Sequence, residues 1–138
     1  MNRVLLPAGW PQPKGYSNGI AAEGTIVSVA GQVGWTPDGQ WQTDDFGEQA
    51  RQALSNLMAV LREAGAGPEH VVRMTWYVTD KREYLAAAKS LGAAYRELMR
   101  GTDGKVNYPA MTAVQVVALI EDRAKVEIEA TAVVPRAA

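Results

Sequence analysis

Two β-like runs, residues 16–21 and 25–33, predict a pair of short strands, the second with a clear period of two. In the second, Val27, Val29 and Val33 alternate with Ser28, Ala30 and Gln32, and Ala22-Glu23-Gly24 reads as a tight turn between the two. After the turn chemistry of residues 34–39 the period becomes helical. Phe46, Ala50, Ala53, Leu54, Leu57, Leu61 and Ala64 form one stripe, with Arg51, Gln52, Ser55 and Arg62 away from it. Asp45 with Glu48 three residues later makes a capping-box pattern, and Gly65 is a stop signal. Period two returns over residues 70–79, with Val72, Met74, Trp76 and Val78 on one face and Val71, Arg73, Thr75 and Tyr77 on the other. A second helix starts at the Asp80/Glu83 capping pair, carries the stripe Tyr84, Ala88, Leu91, Tyr95 and Leu98, and closes at Gly101. Two last strands are expected over 112–119 and 125–134, joined as a hairpin through Ile120-Glu121-Asp122-Arg123. In the final one Val126, Ile128, Ala130, Ala132 and Val134 face one way, and Lys125, Glu127, Glu129 and Thr131 the other.

The predicted order is therefore β-β-α-β-α-β-β. Each β-α-β passage is long enough for a crossover, so the reading is an α+β domain with a mixed sheet and both helices on one face. The other face, rich in small and polar residues, must meet water or another subunit. Residues 1–15 hold Pro7, Pro11 and Pro13 and read as an irregular arm of this single domain.

Composition narrows the chemistry. The 138 residues include no cysteine, which excludes disulfides, thiol nucleophiles and thiolate metal sites. A net charge of −1 lacks the basic excess that nucleic-acid binding needs, so no nucleic-acid partner is expected. No stretch approaches the ~18 apolar residues of a membrane span, and the start of the chain has no signal-peptide pattern, so the expectation is a cytoplasmic protein without a membrane partner. His70 is the single histidine, too few for a metal site, and reads as a strand-edge residue. Gly101-Thr102-Asp103-Gly104-Lys105 lacks the spacing of a phosphate loop and reads as a turn. Asp44-Asp45 is accounted for by helix capping, and Glu121-Asp122 by a solvated turn. Of the tryptophans, Trp76 is expected in the core, while Trp10, Trp35 and Trp41 fall in loops suited to a subunit interface or pocket wall. Tyr16, Ala30-Gly31-Gln32, residues 108–115 and Glu127 remain as candidates. On composition alone each is an ordinary strand or loop position.

Taken in order, five stretches resemble the RidA (YjgF) family of small enamine/imine deaminases. KGYSNG (14–19) resembles the family's Gly-Pro-Tyr-Ser-Gln entry strand, and VAGQV (29–33) its Ser-Gly-Gln strand. QARQALSNLMAVLREAG (49–65) resembles the first helix, including an asparagine at Asn56. VVRMTWYVTD (71–80) resembles the central strand and KVEIEATAV (125–133) the last. The resemblance implies a chorismate-mutase-like α+β fold, a homotrimer, and small-molecule pockets at the subunit interfaces that need neither metal nor organic cofactor. It also implies roles. The catalytic glutamate falls on Glu127 and the pocket tyrosine on Tyr16, with backbone donors around Ala30, Gly31 and Gln32. The family's Pro-Ala-Arg-Ser reads Pro109-Ala110-Met111-Thr112 here, so Met111, followed by Ala113 in the same strand, stands at the substrate-binding arginine.

Met cannot supply the two charge-assisted hydrogen bonds of a guanidinium. Losing one partner of a buried charge pair costs about 2–5 kcal/mol, so efficient hydrolysis of 2-iminopropionate is not expected. Arg73 and Lys125 are cations that could compensate. Two functions stay open: hydrolysis of an imine or enamine, or trimeric small-molecule binding without catalysis. The ribonuclease label attached to the family finds no basic patch or stacking signature here.

Overall fold

The computed structural model describes residues 2–136; Met1, Ala137 and Ala138 lie outside the described residues. Strands β1 (Arg3–Leu5), β2 (Gly19–Ala21) and β3 (Thr25–Val33) precede helix α1 (Phe46–Glu63). A 3₁₀ turn (Pro68–His70) leads into β4 (Val71–Val78), followed by helices α2 (Lys81–Ala86) and α3 (Ala88–Leu98) and strands β5 (Ala110–Gln115) and β6 (Val126–Val134). The main sheet has the order β3-β6-β4-β5, and β1 and β2 form a separate two-stranded ribbon. Met74, Trp76, Val78, Val126, Ile128 and Ala130 face the helices and are buried with Leu54, Leu57, Leu61, Leu91 and Tyr95 in one core. The expected α+β class with a mixed sheet is what the chain adopts.

Local expectations needed correction in four places. The 1–15 arm is not wholly irregular: Arg3–Leu5 lies ahead of its prolines and pairs antiparallel with Gly19–Ala21. The strand expected over 16–21 shrinks to its last three residues, and it does not pair with β3, because its partner is β1. The second helix is interrupted at Ala87, whose ψ of 3° departs from helical geometry, although its N–H still bonds to the Glu83 carbonyl and its carbonyl still accepts from Leu91 N. Finally, the last two strands are not a hairpin. A helical crossover returns a strand parallel to the one before it, so β5 pairs parallel with β4. β6 inserts between β3 and β4, antiparallel to both. Its apolar row, buried from Val126 to Ala132, then sits under α1 as a central strand requires.

Two register shifts change which side chains point where. One lies between Val71 and Arg73, so that Val71 rather than the expected Val72 is fully buried. The other lies between Val29 and Gln32, where Ala30 and Gly31 sit against β6. Capping is simpler than foreseen. The Asp45 side chain accepts from Glu48 N at 2.9 Å, while the Glu48 carboxylate takes the Thr43 hydroxyl at 2.7 Å instead of closing a box. Asp80 caps α2 through Arg82 N at 2.9 Å.

Candidate functional site

The residues singled out from sequence form two groups. In the first, Glu127 of β6 is half-buried and lies directly over Gly31 of β3. A Cβ at Gly31 would come within 2.7 Å of Glu127 Cδ, so this approach requires glycine for space and not for its dihedral angles. Ala30 and Gln32 flank it, and the Gln32 amide nitrogen donates to the Ala30 carbonyl at 3.0 Å. No described residue hydrogen-bonds to the Glu127 carboxylate.

Helix α1 holds this platform from behind. Asn56 Nδ2 donates to the carbonyls of Val33 (3.1 Å) and Trp35 (2.8 Å), fixing the end of β3. The fully buried Gln49 accepts from Lys125 N at 2.9 Å and donates to the Arg123 carbonyl at 3.0 Å, fixing the entry of β6. Gly31 and Glu127 are each two residues from one of these anchors. Across the sheet, Tyr77 pairs with Glu127 and Thr75 with Glu129. The Tyr77 hydroxyl donates to Glu129, and that bond, with desolvation and the charges of Glu129 and Glu127, raises the Tyr77 phenol above its ordinary value. The uncovered sheet face is therefore acidic here, and Arg73 is its compensating cation.

The second group surrounds a cleft of about 330 Å³ between β5 and α2–α3. Met111 lines it with Trp76, Tyr84, Leu85, Leu91 and Tyr108. Ser17 N donates to the Pro109 carbonyl at 3.0 Å and its hydroxyl to the Tyr108 carbonyl at 2.5 Å. These bonds put Gly15 in the lining and leave Tyr16 exposed beside it. Ala113 pairs with Trp76 on the same sheet face as Met111 but is exposed.

The two groups do not meet within the chain. Met111 pairs with Met74, which pairs with Ala130, on the helix-covered face; Glu127 pairs with Tyr77, which pairs with Val114, on the opposite one. Nor do the cations suggested from sequence reach Met111. Arg73 is on Tyr77's face, and Lys125 is engaged with Glu83 at 3.2 Å. His70 is structural, its Nδ1 accepting from Gly67 N at 2.9 Å. Trp35 and Trp41 pack on each other at 5.7 Å, whereas Trp76, expected only in the core, also forms the cleft wall.

Sequence reasoning missed Asn107 and Arg96. Asn107 Nδ2 donates to the carbonyls of Pro68 and Val71, both at 2.8 Å, and its own carbonyl accepts from the Tyr95 hydroxyl at 2.7 Å. It thus sets Tyr108 in place, stacked on Tyr95 at 5.4 Å. Burial, then the neighbouring Tyr108, pushes the Tyr95 phenol up, so it remains a donor. Arg96 lies on the cleft side of α3. A lone polar residue in a loop and an arginine on a helix carry no periodic signal that would have found them.

Over residues 11–134 the chain matches the family described as Endoribonuclease L-PSP. It is 36% identical to a RutC family protein of Synechocystis, covering 96% of this chain and 97% of that one. It is 32% identical to human 2-iminobutanoate/2-iminopropanoate deaminase, covering 96% of this chain and 90% of that one. Among solved structures, a protein of unknown function of the conserved Rid family from Yersinia pestis has a TM-score of 0.80 at 32% identity, over 96% and 98% of the two chains. E. coli TdcF with bound serine has a TM-score of 0.66 at 29% identity, over 95% and 98%. Among the described residues no helix is long and apolar enough to cross a membrane. With its chorismate-mutase-like α+β fold and full-length similarity to these proteins, the chain belongs to the RidA (YjgF) family.

Proposed function

We propose that the chain is a hydrolase of reactive imines or enamines, acting as a homotrimer in which Glu127 of one subunit completes the cleft of another. The observation that carries this is the Glu127 carboxylate, held over Gly31 with no hydrogen bond from the described residues. The deaminases among the relatives support the reaction class. The opposite facing of Glu127 and the Met111 cleft supports assembly between copies, since one chain cannot bring them together.

In this reading the Glu127 carboxylate takes a proton from a water as its oxygen bonds to the imine carbon. The C=N π pair goes to nitrogen. Nitrogen takes the proton from Glu127 to give the carbinolamine; the carboxylate then carries the hydroxyl proton to nitrogen as the C–N bond breaks, releasing a carbonyl and ammonia. Backbone groups around Gly31 and Gln32 and the Tyr16 hydroxyl stabilise the polar intermediate. Neither metal nor organic cofactor enters. Met111, at the position of the family's arginine, leaves an α-carboxylate without a partner in an apolar cleft. The preferred imine therefore lacks that group.

Supplying 2-iminopropionate from an amino-acid oxidase to wild type, Met111→Arg and Glu127→Gln tests the reading. An active Met111→Arg, silenced by adding Glu127→Gln, supports it. Folded, trimeric and inactive proteins throughout would favour the second reading, a trimeric binding protein, for which the methionine-lined cleft is the motive. The ribonuclease wording is not adopted for this chain, whose net charge is −1.

A further inference from the structure

The cleft beside Met111 has one charged residue in its lining, Arg96. Its guanidinium folds back along α3 over Gly92, with Nη1 3.2 Å from where a Cβ would sit, so the bare glycine leaves it room. No described acid pairs with it: its neighbour Glu97 is engaged by Arg51 at 2.9 Å, and the cleft lining contains no Asp or Glu. Behind it, the Trp76 ring forms part of the apolar wall. Trp76 is 3% exposed, and its buried indole Nε1 has no hydrogen-bond partner among the described residues. Everything else prominent in the lining is apolar or aromatic, notably Leu85, Leu91 and Met111. An apolar, largely aromatic cleft with a free cation and no acid in its lining is complementary to an apolar ligand bearing an anionic acceptor.

We infer that Arg96, on helix α3 and not on strand β5, is the anion anchor of this cleft, and that the ligand is a carboxylate separated from its reacting carbon by an apolar spacer. This rests on the hydrolase reading for the imine, but the anchor itself is a binding property. The apolar spacer lies over Met111 and Leu91. The carboxylate reaches Arg96, and so the substrate class is an imine with a remote acid group. Arg96 also sits in the last turn of α3, where a cation complements the helix dipole. A purely dipolar role predicts no ligand dependence, and that separates the two.

Calorimetric titration with 4-phenylbutyrate and with its uncharged amide decides the matter, using wild type, Arg96→Gln and Arg96→Lys. Wild type is expected to bind the acid about tenfold tighter than the amide, Arg96→Gln to bind both alike, and Arg96→Lys to recover part of the difference. Thermal melting checks that the variants stay folded, as an exposed substitution should. Equal binding of acid and amide by wild type, an acid preference that survives Arg96→Gln, or no binding of either at millimolar concentration would overturn the inference. Imine hydrolysis is read separately. Loss of turnover in every protein, with the acid preference intact, would defeat the hydrolase reading and leave the anchor standing.

Discussion

Gly31 and Glu127 share one space: a Cβ on the glycine would come within 2.7 Å of Cδ and 2.9 Å of Cγ of the glutamate. Strands β3 and β6 are antiparallel ladder partners whose register shifts between Val29 and Gln32, and α1 anchors both nearby, through Asn56 to Val33 and through Gln49 to Lys125. The carboxylate is thus positioned by backbone packing and not by donors.

Gly31→Ala should therefore displace Glu127 more than it unfolds the protein. Overpacking of this kind costs about 1–3 kcal/mol, the lower end being expected because a flexible side chain can yield. Urea unfolding should show that modest loss. Imine hydrolysis, measured in parallel, should fall to the level of Glu127→Gln.

Met111→Arg should raise kcat/KM for 2-iminopropionate by about thirtyfold or more, equivalent to recovering ~2 kcal/mol of carboxylate binding. Initial rates of pyruvate formation above the spontaneous rate are the readout. No gain in a folded trimer would mean that the cleft is not where the substrate acid lies.

Asn107→Ala should be strongly destabilising for a single loop substitution. It removes the side-chain donor to the Pro68 and Val71 carbonyls at once, although Pro68 keeps the Val71 N–H. Losing these two part-buried hydrogen bonds costs about 1–3 kcal/mol in total, readable as a lower urea midpoint at unchanged slope.

Stability should fall in acid partly through Glu69. Burial alone would raise its pKa, but hydrogen bonds from the Thr102 hydroxyl and backbone outweigh it and hold the carboxyl below its ordinary value of 4.5. A group depressed in the folded state stabilises fully above its unfolded pKa and loses that contribution as pH falls through the folded one. Between pH 7 and 3, Thr102→Val should flatten the acid side of the unfolding profile relative to wild type. A profile of unchanged slope would remove Glu69 from the account.

The chain's own pattern determined the α+β class, the long first helix with its Asp45 cap, and the buried row from Val126 to Ala132, since periodicity and capping are local properties. The residues of the family motifs were equally legible, because identity and order along the chain carry them. Strand partners were not. β6 and β5 are neighbours in sequence, yet the helical crossover sends β5 to the far edge of β4 and frees β6 for the centre. That Met111 shares the helix-covered face of Met74 while Glu127 shares the other face with Tyr77 followed only from which strands pair and in what register. Arg96 reached the cleft only because α3, packed on α1, lies across the cleft from β5, a juxtaposition that the spacing of the segments does not record. What alternates locally was determined by sequence; what must meet across the sheet was decided by the tertiary structure.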